Sequence, residues 1–157
     1  IMTPRFKERG DITFVGLRED ASPRVGIDGP SIWRRFRPLI DKIPHRRGTH
    51  TLGVIEALDK AAGAFAYSAA VEVDRIGKLP RGLYGKTLPG GRFAVFTHKL
   101  ANGDIGGGLL RTFSYIYGTW VPNSGAKLRA PYDLELYDDR FDNKTISGEV
   151  EIWVPIA

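Results

Sequence analysis

The chain has 157 residues, of which 42% are hydrophobic and 26% are charged, and this composition indicates one ordinary globular domain. It contains no cysteine, no run near the ~20 apolar residues of a membrane span and no apolar signal segment at its start, so disulfides, thiolate metal sites and a membrane anchor are not expected and a cytoplasmic location is favoured. The net charge is +5, but the positive residues are dispersed without a zinc-finger, helix-turn-helix or RNP pattern, so direct nucleic-acid binding is not expected.

The first half of the chain predicts one strand, one helix and two further strands. These elements are a strand at 11–17, a helix at 31–43, and strands at 51–58 and 64–73. The helix is amphipathic, with Ser31 as its expected N-cap and with Arg34, Arg35 and Arg37 largely on its outer side. The segment 79–91 is rich in glycine and proline, which predicts a connector.

The second half repeats the same order. Its elements are a strand at 92–100, a helix at 104–121, and strands at 132–138 and 148–156. With an offset of about 82 residues, Leu52 corresponds to Leu134 and Gly53 to Glu135. The sequence therefore predicts a single α+β domain built from two strand–helix–strand–strand repeats, at about 10–78 and 90–156, related by a pseudo-twofold axis, with a cleft between the halves.

One residue in this pattern is chemically unusual. In the stretch APYDLELYDDRF, Glu135 lies between Leu134 and Leu136 on a strand that otherwise favours burial. A buried carboxylate is costly unless a positive group meets it. Either Glu135 faces water, or the protein keeps a negative charge in an apolar pocket for a ligand.

Six motifs in order carry a family resemblance. They are SIWRRF, FAYSAAVEV, LPGGRFAVFTHKL, IYGTWVPNSG, DLELYD and EIWVPI. Together they resemble the GyrI-like small-molecule-binding domain, which also forms the effector-binding part of some AraC-type and MerR-type multidrug regulators. The resemblance implies an antiparallel sheet with helices on one side, a cleft between duplicated halves, and binding of bulky, flat, often cationic hydrophobic molecules. The chain length leaves no room for a DNA-reading domain, so a stand-alone form is expected.

The resemblance also implies which side chains form the site. The candidate ligand-binding residues are Glu135, Trp33, Tyr67, Tyr137, Trp153 and Tyr117. Glu135 would be the central acid, and Tyr137 would share its strand face. Tyr117 is the weaker candidate because it belongs to the apolar stripe of its helix. For every aromatic residue, plain core packing is the alternative.

Other polar residues give weaker indications of a functional site. Glu149 and Glu151 alternate on the last strand, which is typical of a solvated face, and Glu72 is either solvated or a second acid near the cleft. The three histidines are scattered without carboxylates at ligand spacing, so neither a metal nor another cofactor is expected.

The favoured function is binding of a hydrophobic, cationic small molecule for sensing, sequestration or toxin protection. Catalysis is the less favoured alternative: a hydrolase of cyclopropane-bearing DNA-alkylating toxins, in which Glu135 would be catalytic. A third possibility is an interaction protein that acts on gyrase or on a separate DNA-binding regulator. The oligomeric state is open.

Overall fold

The computed structural model describes residues 2–22, 24–59, 61–101, 103 and 105–157, without the side chains of 105–107. The described strands are β1 (Arg5–Arg9), β2 (Ile12–Ala21), β3 (Arg46–Asp59), β4 (Ala64–Val73), β5 (Tyr84–Leu88), β6 (Gly91–Leu100), β7 (Tyr132–Tyr137), β8 (Phe141–Asp142) and β9 (Ser147–Ile156). The described helices are α1 (Gly29–Phe36), α2 (Ile105–Tyr115) and the short α3 (Val121–Ser124). A 3-10 turn (Arg37–Lys42) continues α1, and a π-helical turn (Ile116–Trp120) joins α2 to α3.

The strands form one antiparallel sheet in the order β1-β6-β9-β7-β3-β4-β2-β5, with β8 paired to β9. β1 and β2 are consecutive in the chain but six positions apart in this order, which would be about 29 Å in a flat sheet. Gly10 and Asp11 alone join them, and two residues reach only about 10 Å. The sheet must therefore curl until its edges approach each other, and the predicted antiparallel α+β class is confirmed.

Both long helices cover the same face of this sheet. Ala69, Gly53, Glu135 and Ile152 are cross-strand neighbours in the adjacent ladders of β4, β3, β7 and β9, so they share one face. α1 packs against the β4 end of this face and α2 against the β9 end, as their core contacts show. None of the described helices is long and apolar enough to cross a membrane.

The inner face of the curl holds a second core together with three buried acids. Phe14, Phe93 and Trp153 belong to this core. The prediction that Glu151 is solvated was wrong, because its side chain is almost fully buried on this face. Glu72 fits neither of its two alternatives, because it is also buried here, on the face opposite the cavity. Glu56 is buried there too, beside Lys86 and the Tyr84 hydroxyl.

Each of these acids meets cations from distant parts of the chain. The Arg9 guanidinium binds Glu72, and the His50 ring also hydrogen-bonds to it, with Nε2 at 2.9 Å from Glu72 Oε1. Burial alone would raise the pKa of Glu72, but the hydrogen bonds from His50 and Arg9 outweigh it, and the pKa lies below its ordinary value. Glu151 is held in the same way by Arg5 and Arg140. Of these pairs, Arg9–Glu72 joins β1 to β4, which are five positions apart in the strand order, and so bridges the curl.

Three strands and the helix ends differ from the sequence predictions. β1 and β8 were not predicted, and β5 lies inside the segment interpreted as a connector, because short edge strands carry little hydrophobic alternation. The N-cap of α1 is Asp28, whose carboxylate accepts from the Ser31 backbone N–H at 3.1 Å, so the predicted Ser31 cap was wrong. The predicted start of the second helix, Asp104, lies outside the described residues.

The Arg9–Glu72 pair yields a stability prediction. Arg9→Met removes the closest cation and should lower the free energy of unfolding at pH 7 by about 1–3 kcal/mol, since it weakens the compensation of a buried charge. The folded-state pKa of Glu72 is depressed, so its contribution is present above the unfolded pKa of about 4.3 and is lost as pH falls through the folded pKa. The deficit of Arg9→Met should therefore shrink as pH is lowered from about 7 toward 3 in urea unfolding.

Arg75→Met is the matched control, because Arg75 is exposed and makes no ion pair with the described residues. A deficit for Arg9→Met that stays constant with pH, or one no larger than that of the control, would contradict this role.

Candidate functional site

A cavity of about 440 Å³ lies between α1 and α2 above the middle strands of the sheet. Most of its lining is apolar or aromatic, and the volume suits a small organic molecule. The lining residues from secondary structure include Pro30, Trp33, Ile55, Phe65, Tyr67, Leu109, Phe113, Glu135 and Tyr137. Both helices and strands from both halves of the chain thus contribute to one site.

Glu135 lies at the floor of this cavity, and the register of the sheet explains why it can. β7 is a central strand, paired on both sides, and helices cover its face, so Glu135 is only 5% exposed. Its cross-strand neighbour is Gly53, where an added Cβ would lie 2.1 Å from Glu135 Oε1 and 2.6 Å from the Tyr67 hydroxyl. The missing side chain of Gly53 therefore makes the space in which the carboxylate and its tyrosine partner meet.

Two tyrosine hydroxyls hold the carboxylate. Tyr67 and Tyr137 donate to Glu135 Oε1 at 2.8 and 2.9 Å, respectively. Trp33 Nε1 donates to the Tyr67 hydroxyl oxygen at 3.1 Å. Indole N–H groups can only donate, which leaves the Tyr67 proton free to point at the carboxylate. The chain Trp33–Tyr67–Glu135 therefore has one direction and fixes the orientation of the acid.

The other carboxylate oxygen is left to the cavity. Among the described residues, both hydrogen bonds of the Glu135 side chain go to Oε1, and neither reaches Oε2. No fully buried side-chain nitrogen or oxygen lacks a partner among the described residues. Oε2 is therefore accessible, and the cavity described above is lined by Glu135. A ligand in the cavity can reach this oxygen directly.

The electrostatics of the floor are those of a charge without a counter-ion. Burial raises the pKa of Glu135 above its ordinary value, the hydrogen bonds from Tyr67 and Tyr137 lower it in part, and nearby Asp133 raises it further. Burial and the neighbouring carboxylate also raise the pKa of both tyrosines, so they stay protonated donors. No cation of the described residues forms an ion pair with Glu135. A positive group placed above Oε2 would supply the missing compensation.

Trp33 forms a wall of the cavity and makes a cation–π contact with Arg37. Its ring packs edge-on against Tyr137, with ring centres 5.7 Å apart. The Arg37 guanidinium carbon lies 5.1 Å from the centre of the Trp33 ring, and Arg37 lines the cavity. The sequence placed Arg37 on the outer side of the helix; its side chain is exposed, yet it also reaches the cavity. One helical turn separates it from Trp33, and that spacing is the signal that could have found it.

The structure does not bring Trp153 to this site. Its neighbour Ile152 pairs with Glu135, so Trp153 lies on the opposite face of the sheet, beside Phe93 with ring centres 5.3 Å apart. Its Nε1 donates to Glu151 Oε1 at 3.0 Å. The predicted position of Trp153 in the cleft therefore conflicts with strand alternation.

Tyr117 lies near the site but does not line the cavity. It belongs to the π-helical turn, which departs from the regular periodicity on which its place in the apolar stripe was predicted. Its hydroxyl donates to Asp133, and 37% of the residue is exposed.

Other lining residues were not predicted as ligand-binding. Phe65 shares the strand face of Tyr67, and Leu109 and Phe113 share a helical face, so both patterns were present in the sequence. Phe141 and Ile146 come from the segment after β7, where no periodic pattern indicates a position in the cavity.

Comparison with known proteins gives a consistent answer. The chain matches the family model of the GyrI-like small molecule binding domain over residues 2–157. It is 29% identical over 156 residues to the transcriptional regulator BrlR of Pseudomonas aeruginosa, covering 99% of this chain and 56% of the regulator. The chain therefore spans about half the length of this curated relative.

Two solved structures share the fold at low sequence identity. The structure of SAV2435 bound to tetraphenylphosphonium has a TM-score of 0.76 and 18% identity, covering 99% of this chain and 94% of that one. EcmrR in a DNA complex has a TM-score of 0.64 and 16% identity, covering 99% of this chain and 57% of that one. On the family match over nearly its whole length, this chain belongs to the GyrI-like small molecule binding domain family.

Proposed function

We propose that this domain is an effector-binding module that takes a bulky hydrophobic cation into the cavity between α1 and α2, with the positive charge above Glu135 Oε2. The observation that carries the proposal is the buried carboxylate with one oxygen open to an aromatic cavity and no ion pair with any described residue. A lipophilic cation has a diffuse, weakly hydrated charge, so it loses little on leaving water. Each aromatic face in contact with it adds about 0.5–2 kcal/mol.

The lining favours binding over chemistry. Among the described lining residues, Glu135 is the only carboxylic acid, and there is no histidine. Burial and the neighbouring carboxylate raise the pKa of Tyr67 and Tyr137, so neither hydroxyl is poised to exchange a proton near neutral pH, as general acid–base catalysis requires. The site offers shape, aromatic faces and a buried carboxylate, which are the requirements of recognition.

The relatives support a role in sensing. SAV2435 was solved with tetraphenylphosphonium, and BrlR is a transcriptional regulator longer than this chain. We infer that occupancy of this cavity is read by a DNA-binding partner, either on another chain or in another part of the same protein. Such a sensor would act in the cytoplasm.

We also infer that the halves are structural repeats. The sheet order contains β6-β9-β7 followed by β3-β4-β2, so equivalent strands mirror each other about the β7–β3 pair. Gly53 and Glu135, which correspond in the sequence offset, lie directly opposite each other at this junction. The departure from symmetry at this one position supplies the carboxylate on one side and the space for it on the other.

Charge selectivity is tested with two ions of the same shape. Tetraphenylphosphonium should bind in isothermal titration and, at about 100 times its dissociation constant, should add about 2.7 kcal/mol to the free energy of unfolding. Tetraphenylborate, its anionic counterpart, should not bind. Glu135→Gln should weaken phosphonium binding at least about tenfold, because the charge beneath the ligand is lost.

Glu8→Gln is the matched control, since it removes the same charge from the exposed strand β1, outside the cavity lining. Equal binding of both ions, or equal phosphonium affinity in Glu135→Gln and the control, would rule out Glu135 as the cation-selecting group.

The pH dependence of binding follows from the same residue. A permanent cation gains from the ionised carboxylate only, and burial holds the pKa of Glu135 above its ordinary value of about 4.3. Phosphonium affinity should therefore be low near pH 4 and rise with pH through this raised pKa, with no such rise in Glu135→Gln. An affinity that is independent of pH between about 4 and 8 would contradict the assignment.

Glu135 should also cost the empty protein stability. Because its folded pKa is raised, the unfolded chain releases the proton first as pH increases, and stability falls between the unfolded and the folded pKa. Glu135→Gln, whose amide oxygen can still accept from both tyrosines, should raise the ligand-free free energy of unfolding at pH 7 but not at pH 3. A loss of stability at pH 7 would show that the carboxylate is structural.

A further inference from the structure

We propose that the ligands preferred by this cavity are zwitterionic: aromatic cations that also carry an acidic group, with the cation above Glu135 and the acid at Arg37. This inference rests on the proposed function and refines it by naming the chemical class of the ligand. It comes from a pair of opposite charges that line one apolar cavity.

Two side chains of opposite charge, Glu135 and Arg37, line the cavity. Among the described lining residues, Glu135 and Arg37 are the only ones that carry charge, and every other lining group is apolar, aromatic or backbone. Glu135 lies buried at the floor, whereas Arg37 is exposed to solvent. The cavity as a whole is therefore close to neutral, with its charges separated rather than paired with each other.

Trp33 lies between these charges. Its indole N–H donates to the Tyr67 hydroxyl, which in turn donates to Glu135. The Arg37 guanidinium lies over its ring. A flat ligand packed along Trp33 would extend from the floor toward Arg37. A molecule packed against Trp33 would therefore have one end near Glu135 and the other near Arg37.

Arg37 has donors to offer. It forms no ion pair with any described residue, whereas its neighbour Arg35 is paired with Glu19 and nearby Arg46 with Asp41. Partial burial beside the cavity lowers the pKa of Arg37, but the group stays charged at neutral pH. Its five N–H donors match the geometry of a carboxylate or sulfonate.

Charge balance decides which ligand gains most. A simple cation gains from Glu135 but brings a like charge toward Arg37, which offsets part of that gain. A zwitterion meets both residues with the opposite charge and also keeps the ligand neutral overall. Because Arg37 is exposed, solvent screens its contribution, and the preference is expected to be moderate, about two- to fivefold in affinity.

The test uses one dye in two charge states. A carboxyphenyl rhodamine with a free carboxylate is a zwitterion at neutral pH, and its methyl ester has the same aromatic cation without the acid. Fluorescence anisotropy titrations should give about two- to fivefold tighter binding of the free acid to the wild-type protein. Arg37→Met, which keeps the length of the stem, should abolish this ratio, and Arg37→Lys should keep part of it. Arg34→Met is the matched control, because Arg34 is exposed and does not line the cavity, and it should leave the ratio unchanged.

The outcomes separate this inference from the function on which it rests. If the ester binds as tightly as the acid, or if Arg37→Met leaves the preference intact, the zwitterion assignment is wrong while cation binding stands. If neither dye binds and tetraphenylphosphonium also fails to bind, both proposals are wrong. Glu135→Gln is expected to weaken binding of the acid and the ester by the same factor. Both dyes place the same cation above Glu135, so the difference between their affinities depends on Arg37 alone.

Discussion

The hydrogen bonds from Tyr67 and Tyr137 to one oxygen of Glu135 are the interaction on which the site depends. They keep a carboxylate beneath an aromatic cavity without neutralising it, since hydroxyl donors stabilise the charge only in part. Gly53 makes the arrangement possible because any side chain there would collide with the acid. The remaining oxygen is thus presented to the cavity by three residues from three adjacent strands.

Comparison with the other buried acids shows that Glu135 differs from them in its hydrogen-bonding partners and not in its depth of burial. Glu72 and Glu151 are as deeply buried as Glu135, but arginines bind both, and the pKa of each is lowered. Those pairs lie on the inner face of the curled sheet, where they stabilise the fold. Glu135 lies on the helix-covered face and is met by tyrosines, so its pKa is raised. The same fold therefore holds carboxylates in two ways, and among the described buried acids Glu135, on the helix-covered face, has no cationic partner.

Periodicity predicted the main helices and strands, whereas the family resemblance, not spacing, predicted the position of Glu135 in the cleft. Glu135, Trp33, Tyr67 and Tyr137 all line the cavity, and strand alternation was enough to place Tyr137 beside Glu135. Trp153 was misplaced because the family pattern names an aromatic residue without its strand face, and the register that puts Ile152 opposite Glu135 is a property of the assembled sheet.

Long-range partners account for most of what the sequence could not predict. Nothing local to Glu72 or Glu151 indicates that Arg9 or Arg5 will bind it. Arg5 reaches Glu151 across β6, and Arg9 reaches Glu72 on β4 only because the sheet curls. Arg37 was interpreted as a solvated helix residue, and solvent exposure alone does not exclude contact with a cavity. Strand alternation and helical spacing predict which face of an element a residue occupies. They do not predict ion pairs between distant strands, because these depend on how the sheet is assembled and curled.

The most direct test of the central claim is the titration of Glu135 itself, by carbon NMR of its side-chain carboxyl with and without tetraphenylphosphonium. The account predicts a pKa above the ordinary glutamate value of about 4.3 in the empty protein, and a fall in that pKa when the cation binds, because the bound charge favours the ionised acid. An ordinary pKa that does not change with ligand would mean that Glu135 is neither isolated from water nor in contact with the bound cation.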